Sequence, residues 1–275
     1  MLEIKAKKEG AELTSIKLDG EEKLHDGKEY WNRQAPILFP IVGKLKEGKT
    51  IIENQAYEMG QHGFARDMVF ECKKDKENLK EFKLIANEET LKKYPYNFEL
   101  TVKYQVKDNT LIVTYEVENI DNKNILFGIG AHPAFKCNYS SGKYYIEFEK
   151  QEDEIGILEL EDGLIAKAKL KEEIIKDNKI ELKENTFDKD AIIMQNIKSN
   201  KITLKEGEKS VLDFDFTGFP YLAIWSKKGA PFVCIEPWYN TADYKDSTGI
   251  FEEKTKIIKL TPKEKFKCKY KVKFY

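Results

Sequence analysis

Leu100-Thr101-Val102-Lys103-Tyr104-Gln105-Val106-Lys107-Asp108-Asn109-Thr110-Leu111-Ile112-Val113-Thr114-Tyr115-Glu116-Val117 reads as two strands and a turn. Leu100, Val102, Tyr104 and Val106 alternate with more polar neighbours, and Leu111, Val113, Tyr115 and Val117 resume the alternation after Asp108-Asn109. Successive strand side chains point to opposite faces, so a period of two gathers these residues on one face. The expected structure is a β-hairpin with that face in a core.

Outward from the hairpin the same period returns. Tyr144, Ile146 and Phe148 alternate, as do Phe266, Cys268, Tyr270, Val272 and Phe274 with lysines at 267, 269, 271 and 273. Those lysines are expected to keep one face wet and to discourage edge pairing. Helical signals are few. Asn87 can cap a short helix running to Tyr94, and Pro95 would end it. The stretches Glu152 to Leu160 and Lys171 to Asn178 fit either state. There is no internal repeat and no Pro- or Ser-rich linker, so one all-β domain over residues 1–275, a sandwich or barrel, is expected.

Composition narrows the function classes. Lys+Arg is 47 and Asp+Glu 48, a net charge of −1, which leaves no basic footprint for nucleic acid. With 41% hydrophobic and 12% aromatic residues the chain is too apolar for disorder. At 275 residues it can bury a core without disulfides. Cys72, Cys137, Cys234 and Cys268 are far apart, with none of the clustering of a zinc site, and read as small core hydrophobes. Residues 1–10 contain no apolar signal core, and no run approaches a membrane span, so a soluble, cytoplasmic protein without membrane contact is expected.

Four stretches break the pattern of core and solvated surface. In Trp31-Asn32-Arg33-Gln34-Ala35-Pro36-Ile37-Leu38-Phe39-Pro40-Ile41-Val42-Gly43, prolines and a glycine interrupt any regular strand, and Arg33 can hold a polar ligand group or a structural carboxylate. In Gln61-His62-Gly63-Phe64-Ala65-Arg66-Asp67, Gly63 allows a tight turn beside His62, and His62 and Arg66 can converge on one ligand. In Gly128-Ile129-Gly130-Ala131-His132-Pro133-Ala134-Phe135, glycines let the backbone come close to a partner at His132. In Pro231-Phe232-Val233-Cys234-Ile235-Glu236-Pro237-Trp238-Tyr239, Glu236 follows an apolar run, where desolvation raises a carboxyl pKa toward that of a useful base. Trp238 adds a flat apolar face suited to a sugar ring. The chain has only three histidines; His25 lies in a polar, turn-like stretch, and the other two sit beside glycine or proline. A His and a Glu make an acid/base pair near neutral pH.

Together these stretches resemble the aldose 1-epimerase (galactose mutarotase-like) family, in its bacterial LacX-like branch. The match runs in order from Ala35-Pro36-Ile37-Leu38-Phe39-Pro40-Ile41-Val42-Gly43, through His62-Gly63-Phe64-Ala65-Arg66 and Gly130-Ala131-His132-Pro133-Ala134-Phe135. It closes with Phe219-Pro220-Tyr221-Leu222-Ala223-Ile224-Trp225 and Cys234-Ile235-Glu236-Pro237-Trp238-Tyr239. The resemblance implies a large antiparallel β-sandwich, the mutarotase-type supersandwich, and a reaction without metal or cofactor that exchanges α and β anomers of an aldose. It implies His132 as general acid toward the ring oxygen and Glu236 as general base toward the C1 hydroxyl. It further implies His62, Arg33 and either Asp190 or Asp188 as sugar contacts.

The chain departs from the best-known members, which carry His-Gly-Gly where His62-Gly63-Phe64 stands. The His-Gly-Phe-Ala-Arg form also occurs in relatives acting on hexose 6-phosphates, where arginines placed like Arg33 and Arg66 bind phosphate. The glycine-rich string near the first arginine of those relatives is replaced by Gln34-Ala35-Pro36, which favours an unphosphorylated sugar. Arg66 can equally be structural, paired with Asp67. Two rival readings are a non-catalytic carbohydrate-binding protein on the same fold and a glycoside hydrolase. The second needs another carboxylate, for which Asp243 and Asp190 are the available residues.

Overall fold

In the computed structural model the hairpin forms as read. Phe98–Lys107 pairs antiparallel with Thr110–Asn119, with Val106 opposite Leu111, Tyr104 opposite Val113 and Val102 opposite Tyr115. The structure describes the backbone of residues 1–170 and 174–275 and the side chains of 1–166 and 174–275.

Among the described residues the hairpin lies inside a nine-stranded sheet. In spatial order its strands are Lys179–Glu181, Tyr144–Phe148, Lys201–Glu206, Lys209–Asp215, Lys265–Phe274, Thr110–Asn119, Phe98–Lys107, Leu79–Ile85 and Glu71–Lys76. Lys265–Phe274 is therefore an inner strand, which corrects the expectation that its lysines guard an edge. Their physical role is cross-strand pairing on the wet face. Lys265 meets Glu118 at 2.7 Å and Lys271 meets Asp215 at 2.9 Å. Such exposed pairs are screened by water and contribute little to stability.

A second sheet, eight-stranded among the described residues, runs Leu164–Leu170, Gly156–Glu161, Ile192–Gln195, Tyr221–Trp225, Phe232–Trp238, Gly130–Ala131 and Ile37–Leu38, with Ala134–Lys136 also on Phe232–Trp238. The two sheets pack face to face. Phe135 of the second sheet lies 6.1 Å from Phe214 and 6.0 Å from Phe274 of the first, ring centre to ring centre. Its central strands Tyr221–Trp225 and Phe232–Trp238 are buried almost throughout, which is why they read as near-continuous apolar runs. In Phe232–Trp238 every residue is buried. Val233 and Ile235 face the inter-sheet core, and Phe232, Cys234 and Trp238 pack in separate clusters on the opposite face. Glu236 shares their parity, and that parity puts it in the site.

The short helix is Glu88–Leu91, with Asn87 Oδ1 accepting from the Thr90 and Glu89 amides and Thr90 Oγ1 accepting from Asn87 N–H. The ambiguous stretch from Glu152 resolves as strand Gly156–Glu161. Residues 171–173 of the other lie outside the described residues. No helix among the described residues is long and apolar enough to cross a membrane.

Candidate active site

Register brings the first pair together. Gly130 lies opposite Trp238 and Ala134 opposite Cys234, so His132 faces Glu236 across the same two strands. Pro133 interrupts the ladder between these short strands because it has no amide hydrogen to donate. The chain stays anchored on either side: His132 N–H donates to Pro36 O at 3.1 Å and Ala134 N–H to Gln34 O at 2.8 Å. The close approach requires Gly130, since a Cβ there would lie 2.7 Å from Trp238 Cδ1.

His132 Nε2 stands 3.2 Å from Glu236 Oε2, with the histidine side chain 9% exposed and the carboxylate 1%. Neither carboxylate oxygen, nor His132 Nδ1, has an aligned hydrogen-bond partner among the described residues. Burial therefore governs both groups. It raises Glu236 well above the usual carboxyl range, helped by the charge of Asp190 and opposed by the Trp238 N–H. It pushes His132 down to about 3; the backbone opposes this and the positive charges of Arg66 and Arg33 assist it. Both shifts favour neutral forms.

His62 arrives from the turn after Gln55–Glu58. Its N–H donates to Gly43 O at 2.8 Å, and its Nδ1 accepts from Gly43 N–H at 3.0 Å. That acceptance leaves Nε2 as the protonated nitrogen of a neutral ring. Burial, with the charges of His132 and the two arginines, holds His62 well below its ordinary pKa. The ring meets His132 edge-on at 5.6 Å. Gly63 makes the turn possible: its φ is +71°, and a Cβ would fall 2.3 Å from Phe39 O. Gly63→Ala is expected to cost at least about 2 kcal/mol, from the left-handed backbone and the clash together. A denaturant midpoint equal to that of the parent would contradict this.

Above the pair opens a cavity of about 750 Å³. Its lining includes His62, Arg66, His132, Asp188, Asp190, Glu236 and Trp238, so most of the residues expected from sequence converge. Arg33 does not line it; Arg33 Nη2 pairs instead with Asp67 Oδ1 at 2.7 Å. Arg66 Nη2 donates to Gln61 O at 2.7 Å, while its buried Nε lacks a hydrogen-bond partner among the described residues and lies 3.9 Å from Asp67 Oδ2, a loose form of the expected ion pair. Of the two aspartates, Asp188 pairs with Lys228 at 3.2 Å, and Asp190 Oδ1 accepts from Ala191 N–H at 2.7 Å. Asp243 does not line the cavity. Its carboxylate is buried against Lys254, and its Oδ2 accepts from Lys46 N–H at 2.9 Å.

Several lining or supporting residues carried no signal of their own in the sequence. Trp31 stacks 4.7 Å from the His132 ring and Trp225 lies 5.7 Å from it, giving the histidine an aromatic wall. Lys227 and Lys228 add positive charge to the lining. Glu12 is buried beneath the loop; its Oε1 accepts from Gln34 N–H at 2.7 Å and Ala35 N–H at 3.1 Å. It thereby holds the segment whose carbonyls hold His132. A lone acid between Ala11 and Leu13 was the available hint. His25 is buried under this wall, its Nε2 2.9 Å from Trp31 O, despite its polar sequence surroundings.

The sequence profile of the aldose 1-epimerase family matches residues 1–258, and the chain belongs to that family. It is 33% identical over 294 residues to protein LacX of Lactococcus lactis subsp. lactis, spanning 98% of this chain and 96% of LacX. Among solved structures it is similar to the galactose mutarotase related enzyme of Lactobacillus acidophilus, with TM-score 0.94, 30% identity and coverage of 100% and 95% of the two chains. It is similar also to a galactose mutarotase-like protein of Lactobacillus casei, with TM-score 0.93, 30% identity and coverage of 100% and 97%. The fold is thus the mutarotase-like all-β architecture.

Proposed function

We propose that the protein is a mutarotase that interconverts the α and β anomers of an aldohexose by acid/base-catalysed ring opening. The observation that carries this reading is the buried His132–Glu236 contact of 3.2 Å on the cavity wall. Glu236 takes the proton of the C1 hydroxyl while His132 protonates the ring oxygen. The C1–O5 bond breaks, the aldehyde rotates about C1–C2, and the ring closes on its other face with the two roles reversed. His62 and Asp190 offer polar contacts, and Trp31, Trp225 and Trp238 offer flat apolar faces to a sugar's C–H surface.

Proton counting supports the assignment. Ionised Glu236 with protonated His132, and protonated Glu236 with neutral His132, hold the same single proton. They are the states before and after ring opening. A second proton joins only in acid, because His132 is pushed down to about 3, and the last proton leaves well above the ordinary carboxyl range, because Glu236 is raised. The expected pH profile of kcat/KM, after subtraction of the spontaneous reaction, is a plateau whose acid limb lies far below the ordinary histidine value and whose basic limb is displaced upward from the ordinary carboxyl value. An acid limb centred near the ordinary histidine value would contradict the shared-proton pair.

The direct test follows the optical rotation of freshly dissolved α-D-glucose and α-D-galactose with and without the protein. Faster relaxation to the same final rotation is expected. A second substrate reading, a hexose 6-phosphate, is favoured by Arg66, Lys227 and Lys228 in the lining. The same assay on glucose 6-phosphate decides between the two. Acceleration with none of these sugars would favour a carbohydrate-binding protein. Of the two carboxylates that hydrolysis could use, Asp243 is buried against Lys254 away from the cavity and Asp190 lines it, so product analysis on a disaccharide separates hydrolysis from anomer exchange.

A further inference from the structure

We infer that His132, Cys234 and Glu236 form a chelating site for a thiophilic divalent cation of the zinc and cadmium class, whose occupation blocks the proposed acid/base pair. Spacing in the sequence offers no such cluster; strand register creates it. Cys234 and Glu236 are two residues apart on one strand and so share a face, and His132 lies across from them. One ligand atom from each, imidazole nitrogen, thiol sulfur and carboxylate oxygen, falls within 4.8 Å of the others. All three residues are buried, and both Glu236 oxygens lack hydrogen-bond partners among the described residues.

The donor set selects the ion. Sulfur with imidazole and one carboxylate suits zinc or cadmium and disfavours magnesium and calcium, which prefer oxygen. Zinc bonds of about 2.0–2.3 Å place tetrahedral ligands roughly 3.3–3.8 Å apart. The His132–Glu236 separation of 3.2 Å already nearly fits. The widest separation, at most 4.8 Å, has to close by roughly 1 Å. His132 and Glu236 line the cavity, which supplies both the access route and room for a fourth ligand, a water. On binding, the proton shared by the pair and the thiol proton pass to bulk water, and nothing is oxidised or reduced.

The test titrates the full, metal-free chain with cadmium chloride, following ultraviolet thiolate-to-cadmium charge transfer and the heat of binding. A saturable band at one equivalent is expected, reversed by EDTA. Cys234→Ala and Cys234→Ser should each lose the band and weaken binding by at least about tenfold. Cys268→Ala, which alters a buried thiol in the other sheet, should leave both unchanged. Absence of the band in the parent protein, or its survival in a folded Cys234→Ala variant, would overturn the inference. Binding is independent of the mutarotase reading, while inhibition rests on it: zinc should slow anomer exchange competitively with sugar, and Cys234→Ala should resist. A cadmium band without sugar activity would sink the mutarotase reading alone. Sugar activity without a band would sink the metal site alone.

Discussion

Replacing Glu236 by glutamine is expected to lower kcat for anomer exchange by about 10²–10⁴-fold, the usual worth of one positioned proton transfer. KM should stay within a few-fold of the parent value. The substitution keeps the volume and planarity of a side chain that is 1% exposed, and removes only its capacity to accept the C1 proton. The fold should survive the change, because burial already disfavours the carboxylate. The sign of the linkage follows. A group whose folded pKa is raised stabilises below its unfolded value and loses that contribution as pH rises through the folded value. Glutamine removes this loss, so the variant should melt at the same temperature as the parent below the ordinary carboxyl pKa and no lower at any higher pH. Circular dichroism melts beside polarimetry separate the effects. Parent-like turnover would show that Glu236 is not the base; lost turnover together with lost folding would leave a packing role instead.

His132→Asn is expected to reduce kcat by a similar factor, about 10²–10⁴-fold, with a larger rise in KM. Asparagine retains a donor but leaves space against Trp31, whose ring lies 4.7 Å from the imidazole. The variant should also change the shape of the pH profile. Without His132 to share the proton, residual activity requires ionised Glu236, whose pKa is raised. Residual rates should therefore climb with pH instead of forming a plateau. The double variant should be little worse than either single one, because two groups 3.2 Å apart that pass one proton act as a unit. Independent, multiplicative losses would mean that the residues do not share a step.

The alternation around Asp108-Asn109 was enough to predict the hairpin and its facing residues, since strand periodicity is local and the turn residues are adjacent. The inner position of Lys265–Phe274 was not readable. Its lysine-rich face looks like an edge until two neighbouring strands, distant in sequence, pair with it. In the site, His62, His132 and Glu236 stood out because a histidine beside glycine, or a carboxylate in an apolar run, conflicts with ordinary packing. Arg33 had the same look, yet its guanidinium turns to Asp67. A one-dimensional pattern carries no information on which carboxylate an arginine will meet. Trp31 and Trp225 were invisible as a pair for the opposite reason: a tryptophan in an apolar stretch is ordinary until its neighbour in space is a catalytic candidate.

The sequence by itself thus determined the all-β class, the parity that sends Glu236 and Trp238 to one face, and the glycines and prolines that break strands where side chains are needed. These are local consequences of backbone geometry and side-chain period. Only the tertiary structure decided that His132 faces Glu236, that Cys234 joins them, that Glu12 holds the supporting loop, and that Arg33 and Asp243 are spent on ion pairs. Those are matters of register and burial between strands far apart in the chain, where desolvation sets the charge state and a single residue of slip would send every side chain to the other face.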